Sequence, residues 1–198
     1  MLLDFLYQLR DCKVPVGLQE WMALMIEALR LTALGEYQQS QEIRDQAFET
    51  APTTSGRIDG KSFNWIADAD PRMGPILEVI VNGRYYWIPI YHIETIKIEE
   101  PADLRDLVWI PAHFTWVNEG ETVGFIPTRY AGSEQSDDPL VRLSRKTEWI
   151  EKEGGLFLGM GQRTLSTDAD EYPLMDIREI TLESTEQGSG QDTAAGVE

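Results

Sequence analysis

The dipeptide Asn82-Gly83 stands between two runs of strand-forming residues, Ile76-Leu-Glu-Val-Ile-Val81 and Arg84-Tyr-Tyr-Trp-Ile-Pro-Ile90. A two-residue turn that matches the twist of its strands needs two successive positive φ angles, which Asn-Gly adopts at little cost. The β-branched and aromatic flanks complete the signature of a hairpin. Residues 114–117 and 122–126 repeat the arrangement around Asn118-Glu-Gly-Glu121, and residues 147–150 and 156–158 repeat it around 151–155. Residues 93–98 alternate imperfectly and read as a further strand. Residues 163–166 and 175–182 read as edge strands, and 101–107 as a short helical turn. Short strands at this spacing predict a small, strongly bent β-sheet or partly open barrel over residues 62–183.

The first fifty residues follow a different period. Leu2, Leu3, Leu6 and Leu9 share one helical face, with Phe5 beside them, and Val14-Pro-Val-Gly17 breaks that helix. A second helix is expected over 18–34, with Trp21, Leu24, Met25, Ala28, Leu29 and Leu31 packing, and Gly35 ends it. A third, over 36–50, directs Tyr37, Ile43, Ala47 and Phe48 inward, and Pro52 stops it. The pair reads either as one tetratricopeptide-like unit or as a plain helical hairpin on the next domain, because a single unit cannot stack into an extended groove. The expected class is therefore α+β. A partial helical solenoid occupies 1–50, a linker 51–61, a β-rich domain 62–183 and a disordered acidic tail 184–198.

Charge narrows the partners. The 17 Lys+Arg face 34 Asp+Glu, a net charge of −17, and no basic run exceeds Arg145-Lys146. A surface that binds nucleic acid or an anionic membrane needs a local basic excess, so both are disfavoured. The acids Glu183, Glu186, Asp192 and Glu198 account for part of the charge, and the remaining excess favours a partner presenting Lys or Arg. No stretch reaches the ~20 apolar residues that span a bilayer. The N-terminus has no leading basic cluster or cleavage site of a signal peptide. A single cysteine, Cys12, forms no internal disulfide and builds no Cys-rich metal site, and the chain reads as cytoplasmic.

Few residues carry recognisable chemistry. His92 and His113 are the two histidines, and each reads as a half-buried structural residue, His113 among the aromatics of 109–116. Asp68-Ala-Asp70 and Asp137-Asp138 are too short for a calcium loop and fit turn and helix-cap roles. Gly159-Met-Gly161-Gln-Arg163 lacks the Lys-Ser/Thr of a phosphate loop and reads as a strand bend. Ser133, Ser136 and Ser144 lack a nucleophile elbow. With no nucleophile, base and orienter together, no enzyme, cofactor or metal site is expected. The competing reading is a hydrolase-like or metal-binding cleft assembled from Asp68, Asp70, His113 and Arg129. Interleaved arginines and aromatics offer an interaction surface at Arg84, Tyr86, Trp109, Arg129, Tyr130 and Trp149. The same residues also suit a small β core with its arginines paired to carboxylates. The apolar stretch 1–34 makes self-association a third reading.

From about Glu20 to Leu182 the chain resembles the ImpE family of type VI secretion accessory proteins, also called TagJ or SciE-like. The resemblance rests on ordered blocks: Glu20-Trp-Met-Ala-Leu, Arg44-Asp-Gln-Ala-Phe-Glu49, Phe63-Asn-Trp-Ile-Ala-Asp-Ala-Asp70, Asn82-Gly-Arg-Tyr-Tyr-Trp-Ile-Pro89 and Asp103-Leu-Arg-Asp-Leu-Val-Trp-Ile-Pro-Ala-His113. Ile126-Pro-Thr-Arg-Tyr130, Gly132-Ser-Glu134, Ser136-Asp-Asp138, Arg145-Lys-Thr-Glu-Trp149, Gly161-Gln-Arg163 and Tyr172-Pro-Leu-Met-Asp-Ile-Arg178 extend them. It implies a helical solenoid ahead of an α+β domain and a non-catalytic adaptor. Such an adaptor binds an N-terminal helix of the sheath subunit TssB and is linked indirectly to the ClpV ATPase. Against the family pattern the chain keeps the last helical pair and lacks the helices that normally precede it. Residues 1–18 depart from the pattern. They are similar to the opening helix of von Willebrand A-type proteins related to CoxE, and read as a replacement cap on the exposed helical face.

Overall fold

The computed structural model describes residues 20–183. The expected helix at the N-terminus, its capping role and the acidic tail lie outside the described residues, as does more than half of the 1–34 stretch assigned to self-association.

Helices α1 (Glu20–Leu34) and α2 (Tyr37–Thr50) form an antiparallel pair, turned at Gly35 with φ +84°. The apolar stripe of α1 buries Trp21, Met22, Met25, Ala28 and Leu31. The buried face of α2 is narrow and mostly polar, made of Ser40, Arg44 and Ala47. Ser40 Oγ donates to the Ala28 carbonyl at 2.6 Å, and Arg44 Nη2 donates to Thr32 Oγ1 at 3.1 Å and Ser40 Oγ at 2.9 Å. Phe48, expected to point inward, is exposed instead. Trp21, Met22, Met25 and Ala47 pack on Met73 and Ile76, so the pair is seated on the β-domain.

Thirteen strands follow: β1 (Gly56–Ile58), β2 (Lys61–Phe63), β3 (Ile66–Asp68), β4 (Ile76–Val81), β5 (Arg84–Pro89), β6 (Ile93–Ile98), β7 (Trp109–Trp116), β8 (Glu121–Pro127), β9 (Thr147–Lys152), β10 (Leu156–Gly161), β11 (Thr164–Thr167), β12 (Glu171–Pro173) and β13 (Glu179–Leu182). A one-turn helix, α3 (Pro139–Arg142), precedes β9 and is capped by the Asp138 carboxylate. Eight strands form one antiparallel sheet in the order β2-β1-β13-β6-β7-β8-β4-β5. Strands β12-β11-β3 form a second sheet, and β9-β10 a separate hairpin. Alternate residues such as Leu77, Val79, Ile88, Ile96, Ile110, Phe114, Ile126 and Ile180 build the main core.

The Asn82-Gly83 turn has φ angles of 52° and 72°, as its hairpin requires. Three expectations are corrected. Strand exceeds helix, and the described residues hold three α-helices, so the fold is mainly β rather than an α+β assembly led by a solenoid. Part of the apolar face of the helical pair, Trp21, Met22, Met25 and Ala47, packs against Met73 and Ile76 of the β-domain. Among the described residues the large sheet is open, not a barrel, with β2 and β5 at the two ends of its strand order. Both edges are blunt, β2 being 3 residues long and β5 ending in Pro89. Residues 56–63, split between linker and domain, instead form a hairpin about Asp59-Gly60 (φ 47° and 82°). That hairpin covers β13, which lies between β1 and β6 and not at an edge.

Gly124 of β8 tests the close pairing with β4, since a Cβ there would lie 2.5 Å from the Ile80 carbonyl oxygen, whereas at Gly83 it would meet open space. Chemical denaturation is expected to show Gly124→Ala losing about 2 kcal/mol or more through overpacking, and Gly83→Ala about 1 kcal/mol through backbone strain alone.

Candidate functional site

Arg163 lies between β10 and β11 with its side chain 1% exposed. Its Nη1 donates to Asp68 Oδ2 of β3 at 2.5 Å, its Nη2 to Glu78 Oε2 of β4, and its Nε to the Pro127 carbonyl at 3.2 Å. The guanidinium carbon lies 5.3 Å from the Tyr130 ring centre. Tyr130 donates its hydroxyl to Asp68 Oδ1 at 2.9 Å, and the same oxygen accepts the Asp70 N–H. Asp70 is buried too. Its carboxylate takes Nε and Nη2 of Arg72 and the N–H of Gly159, while Arg72 Nη2 also donates to the Gly159 carbonyl. Burial, opposed by Arg163, raises the Asp68 carboxyl to about 6. Burial and the neighbouring carboxylates push the Tyr85 and Tyr130 hydroxyls up. Every acceptor and donor in this network already has a partner in the chain, which makes it a structural clamp.

The four residues of the hydrolase-like or metal-binding reading are not gathered. Asp68 and Asp70 sit in the clamp. His113 is exposed on β7 and faces Glu99 at 3.1 Å, so its expected half-buried place among aromatics is corrected. Its neighbours alternate to the other face of the strand: Phe114 is in the core. Arg129 donates to the Arg142 carbonyl and has no bond to Asp68, Asp70 or His113 among the described residues. His92 is half-buried and rests against the Tyr91 ring at 4.2 Å, and burial lowers its pKa. Among the described residues no group of three or more His, Cys, Asp or Glu side chains is placed to hold a metal ion.

The six residues expected on an interaction surface are dispersed. Tyr86 and Tyr130 are buried. Arg84 is exposed beside the first hairpin turn, and Arg129 is committed to Arg142. Trp109 and Trp149 are each 39% exposed, and Trp149 alone of the six lines the main cleft.

That cleft, of about 860 Å³, runs between α2, residues 51–54, β3, the 71–75 turn and the β9–β10 hairpin. Four partly exposed aromatic side chains dominate it: Phe48, Trp65, Trp149 and Phe157. Two of them have an identified support, Phe48 and Trp149. A Cβ on Gly74 (φ +53°) would lie 2.4 Å from the Phe48 ring, so only glycine permits that seat. Trp149 leans on Tyr130 with ring centres 5.9 Å apart. Phe157 lies between buried Leu156 and Leu158, so alternation turns it outward. The 153–155 turn closes one wall against Gln38 and Gln41. Asp45 and Glu171 are exposed and line it too, and Arg44 lines it from α2. An apolar cleft with acidic margins suits an amphipathic segment with basic flanks. Sequence reasoning missed Phe48, Trp65 and Phe157, although strict alternation over 156–158 pointed to the last.

Comparison with known proteins agrees with the resemblance. The ImpE protein family model matches residues 60–181, and the chain belongs to the ImpE family. It is 48% identical over 167 residues to the type VI secretion system accessory component TagJ of Pseudomonas aeruginosa. That match covers 84% of this chain and 58% of TagJ, so the chain spans little more than half the length of that relative. A crystal structure of a Vibrio parahaemolyticus protein shares the fold with a TM-score of 0.77 at 24% identity, over 85% of this chain and 64% of the other. Among the described residues no helix is long and apolar enough to cross a membrane.

Two measurements probe the clamp. Arg163→Met leaves Asp68 and Glu78 facing each other without a cation and is expected to cost about 3–5 kcal/mol in denaturant unfolding. Because the folded pKa of Asp68 lies above the ordinary 3.8, its contribution to stability is present below that value and is lost as pH rises through 6. The stability gap between wild type and Asp68→Asn is therefore expected to be larger at about pH 5 than at about pH 7.5.

Proposed function

We propose that this chain is a non-catalytic adaptor of a bacterial type VI secretion system, working in the cytoplasm. It docks an N-terminal helix of the contractile-sheath subunit TssB in the aromatic cleft and through the sheath is linked to the ClpV ATPase. Membership of the ImpE family and the similarity to an accessory component support the accessory role. The single observation that supports docking is the cleft itself, with four partly exposed aromatics on a rigid base. Partly exposed aromatics in a preformed groove are the usual anchors for the apolar face of a helix. Asp45 and Glu171 then meet basic residues flanking that face. Those contacts add salt dependence more than affinity.

Titration of a labelled TssB N-terminal peptide into the full chain tests this. Binding is expected, weakened about tenfold or more by Trp65→Ala or Phe157→Asp and unchanged by Trp109→Ala. Absence of binding at high micromolar concentration, with the chain shown folded, contradicts it.

A further inference from the structure

Arg44 is the unusual member of the cleft. It is 2% exposed, yet its Nε and Nη1 have no acceptor among the described residues. Only Nη2 is satisfied, by the hydroxyls of Thr32 and Ser40. A buried guanidinium normally has a carboxylate against it, since leaving charged donors unmatched is costly. Arg163, buried to the same degree, holds two. Asp45 and Asp70 act on Arg44 only through space, and Asp70 is already bonded to Arg72 and Gly159. Asp45 is the next residue of α2, and adjacent helix residues do not face each other.

The two hydroxyls that hold Arg44 do not need it. Thr32 Oγ1 and Ser40 Oγ lie 2.6 Å apart, and they donate to the Ala28 carbonyl at 2.9 and 2.6 Å. Both hydroxyl protons therefore keep an acceptor when the guanidinium leaves. The base of the side chain is already at the cleft, since Gln41, Arg44, Asp45 and Phe48 follow at three- and four-residue steps on α2 and all line it. Rotation about its own bonds carries the guanidinium from the hydroxyls toward the cleft. There a carboxylate would exchange neutral hydrogen bonds for charge-assisted ones, each about twice as strong. Phe48 stands one turn further along α2, about 6 Å away, so such a carboxylate lies among the apolar anchors of whatever fills the cleft.

We propose that Arg44 is the specificity residue of the cleft. Its guanidinium turns from Thr32 and Ser40 to the carboxylate of one Asp or Glu set within the apolar face of the docked partner helix. A helix with the same apolar face and no acid leaves the cation buried and unmatched, and binds more weakly for that reason. Asp45 and Glu171 at the margins favour basic residues outside that face, so the matching partner carries its acid centrally and its bases peripherally. The inference rests on the reading that a partner helix docks in this cleft, and it names the chemistry by which that helix is chosen.

Two measurements on the full chain separate the parts. In the first, 3-phenylpropionate and its uncharged amide are titrated while the Arg44 Nε–H resonance, identified by its loss in Arg44→Lys, is followed. The acid is expected to move that resonance and to bind about tenfold more tightly than the amide. A net charge of −17 gives the chain no general preference for anions. Equal binding of the two, or an unmoved resonance at millimolar acid, overturns the proposal. In the second, the labelled TssB N-terminal peptide, amidated at its C-terminus, is compared with the same peptide carrying Asn for Asp and Gln for Glu. The neutral peptide is expected to bind wild type about tenfold more weakly, and the two peptides to bind Arg44→Gln alike. Equal affinity in wild type, or a difference that survives in a folded Arg44→Gln chain, overturns the proposal while leaving docking itself intact. If neither peptide binds while the acid is still preferred to its amide, Arg44 keeps its role and the TssB reading fails.

Discussion

Arg163 joins parts of the chain that would otherwise be separate. Its guanidinium reaches Asp68 on the three-stranded sheet, Glu78 on the eight-stranded sheet and the carbonyl of Pro127 at the end of β8. Its backbone N–H bonds the Thr128 carbonyl, and the Tyr130 ring packs against the cation. Two carboxylates on one fully buried guanidinium leave a large penalty for any register that separates them. The specificity of the fold is thus concentrated at one residue that sits between two short strands.

The cleft depends on that clamp. Asp68 ends β3, and its neighbour Asp70 organises the 70–74 turn by accepting the backbone and side chain of Arg72 and the N–H of Gly159. This fixes the turn that seats Phe48 and also fixes β10, which carries Phe157. Tyr130, bonded to Asp68, supports Trp149 from below. Three of the four cleft aromatics are thereby placed by one polar network, and the fourth, Trp65, lies just before β3. A preorganised groove loses little conformational entropy when a helix enters it.

Much of the β framework was legible in the sequence because hairpins are local. Asn82-Gly83, the 118–121 turn and the 151–155 turn each specify their own strands, and all three hairpins are present. Long-range choices were not legible. Nothing local indicates that β13 inserts between β1 and β6, or that residues 56–58 form the strand covering it. Sheet closure is likewise a global property, and the short β2 and the Pro89 end of β5 leave it open. At the site, aromatic content pointed toward an interaction surface, but alternation assigns faces only when strand limits are known. Tyr86 fell inward and Phe157 on the cleft for that reason, whereas Phe48 lies on a helix and Trp65 and Tyr130 lie outside the strands, where alternation says nothing. The Asp68-Ala-Asp70 pair was recognised as turn chemistry, yet its partner Arg163 lies 95 residues away and had no local signal.

The central claim is that the cleft between α2 and the small sheets is where a partner helix docks. Hydrogen–deuterium exchange of the full chain with and without saturating TssB N-terminal peptide tests it most directly. The account predicts added protection at residues 41–54, 65–75 and 149–157. Protection concentrated in β7 and β8, with exchange around the cleft unchanged, would contradict it.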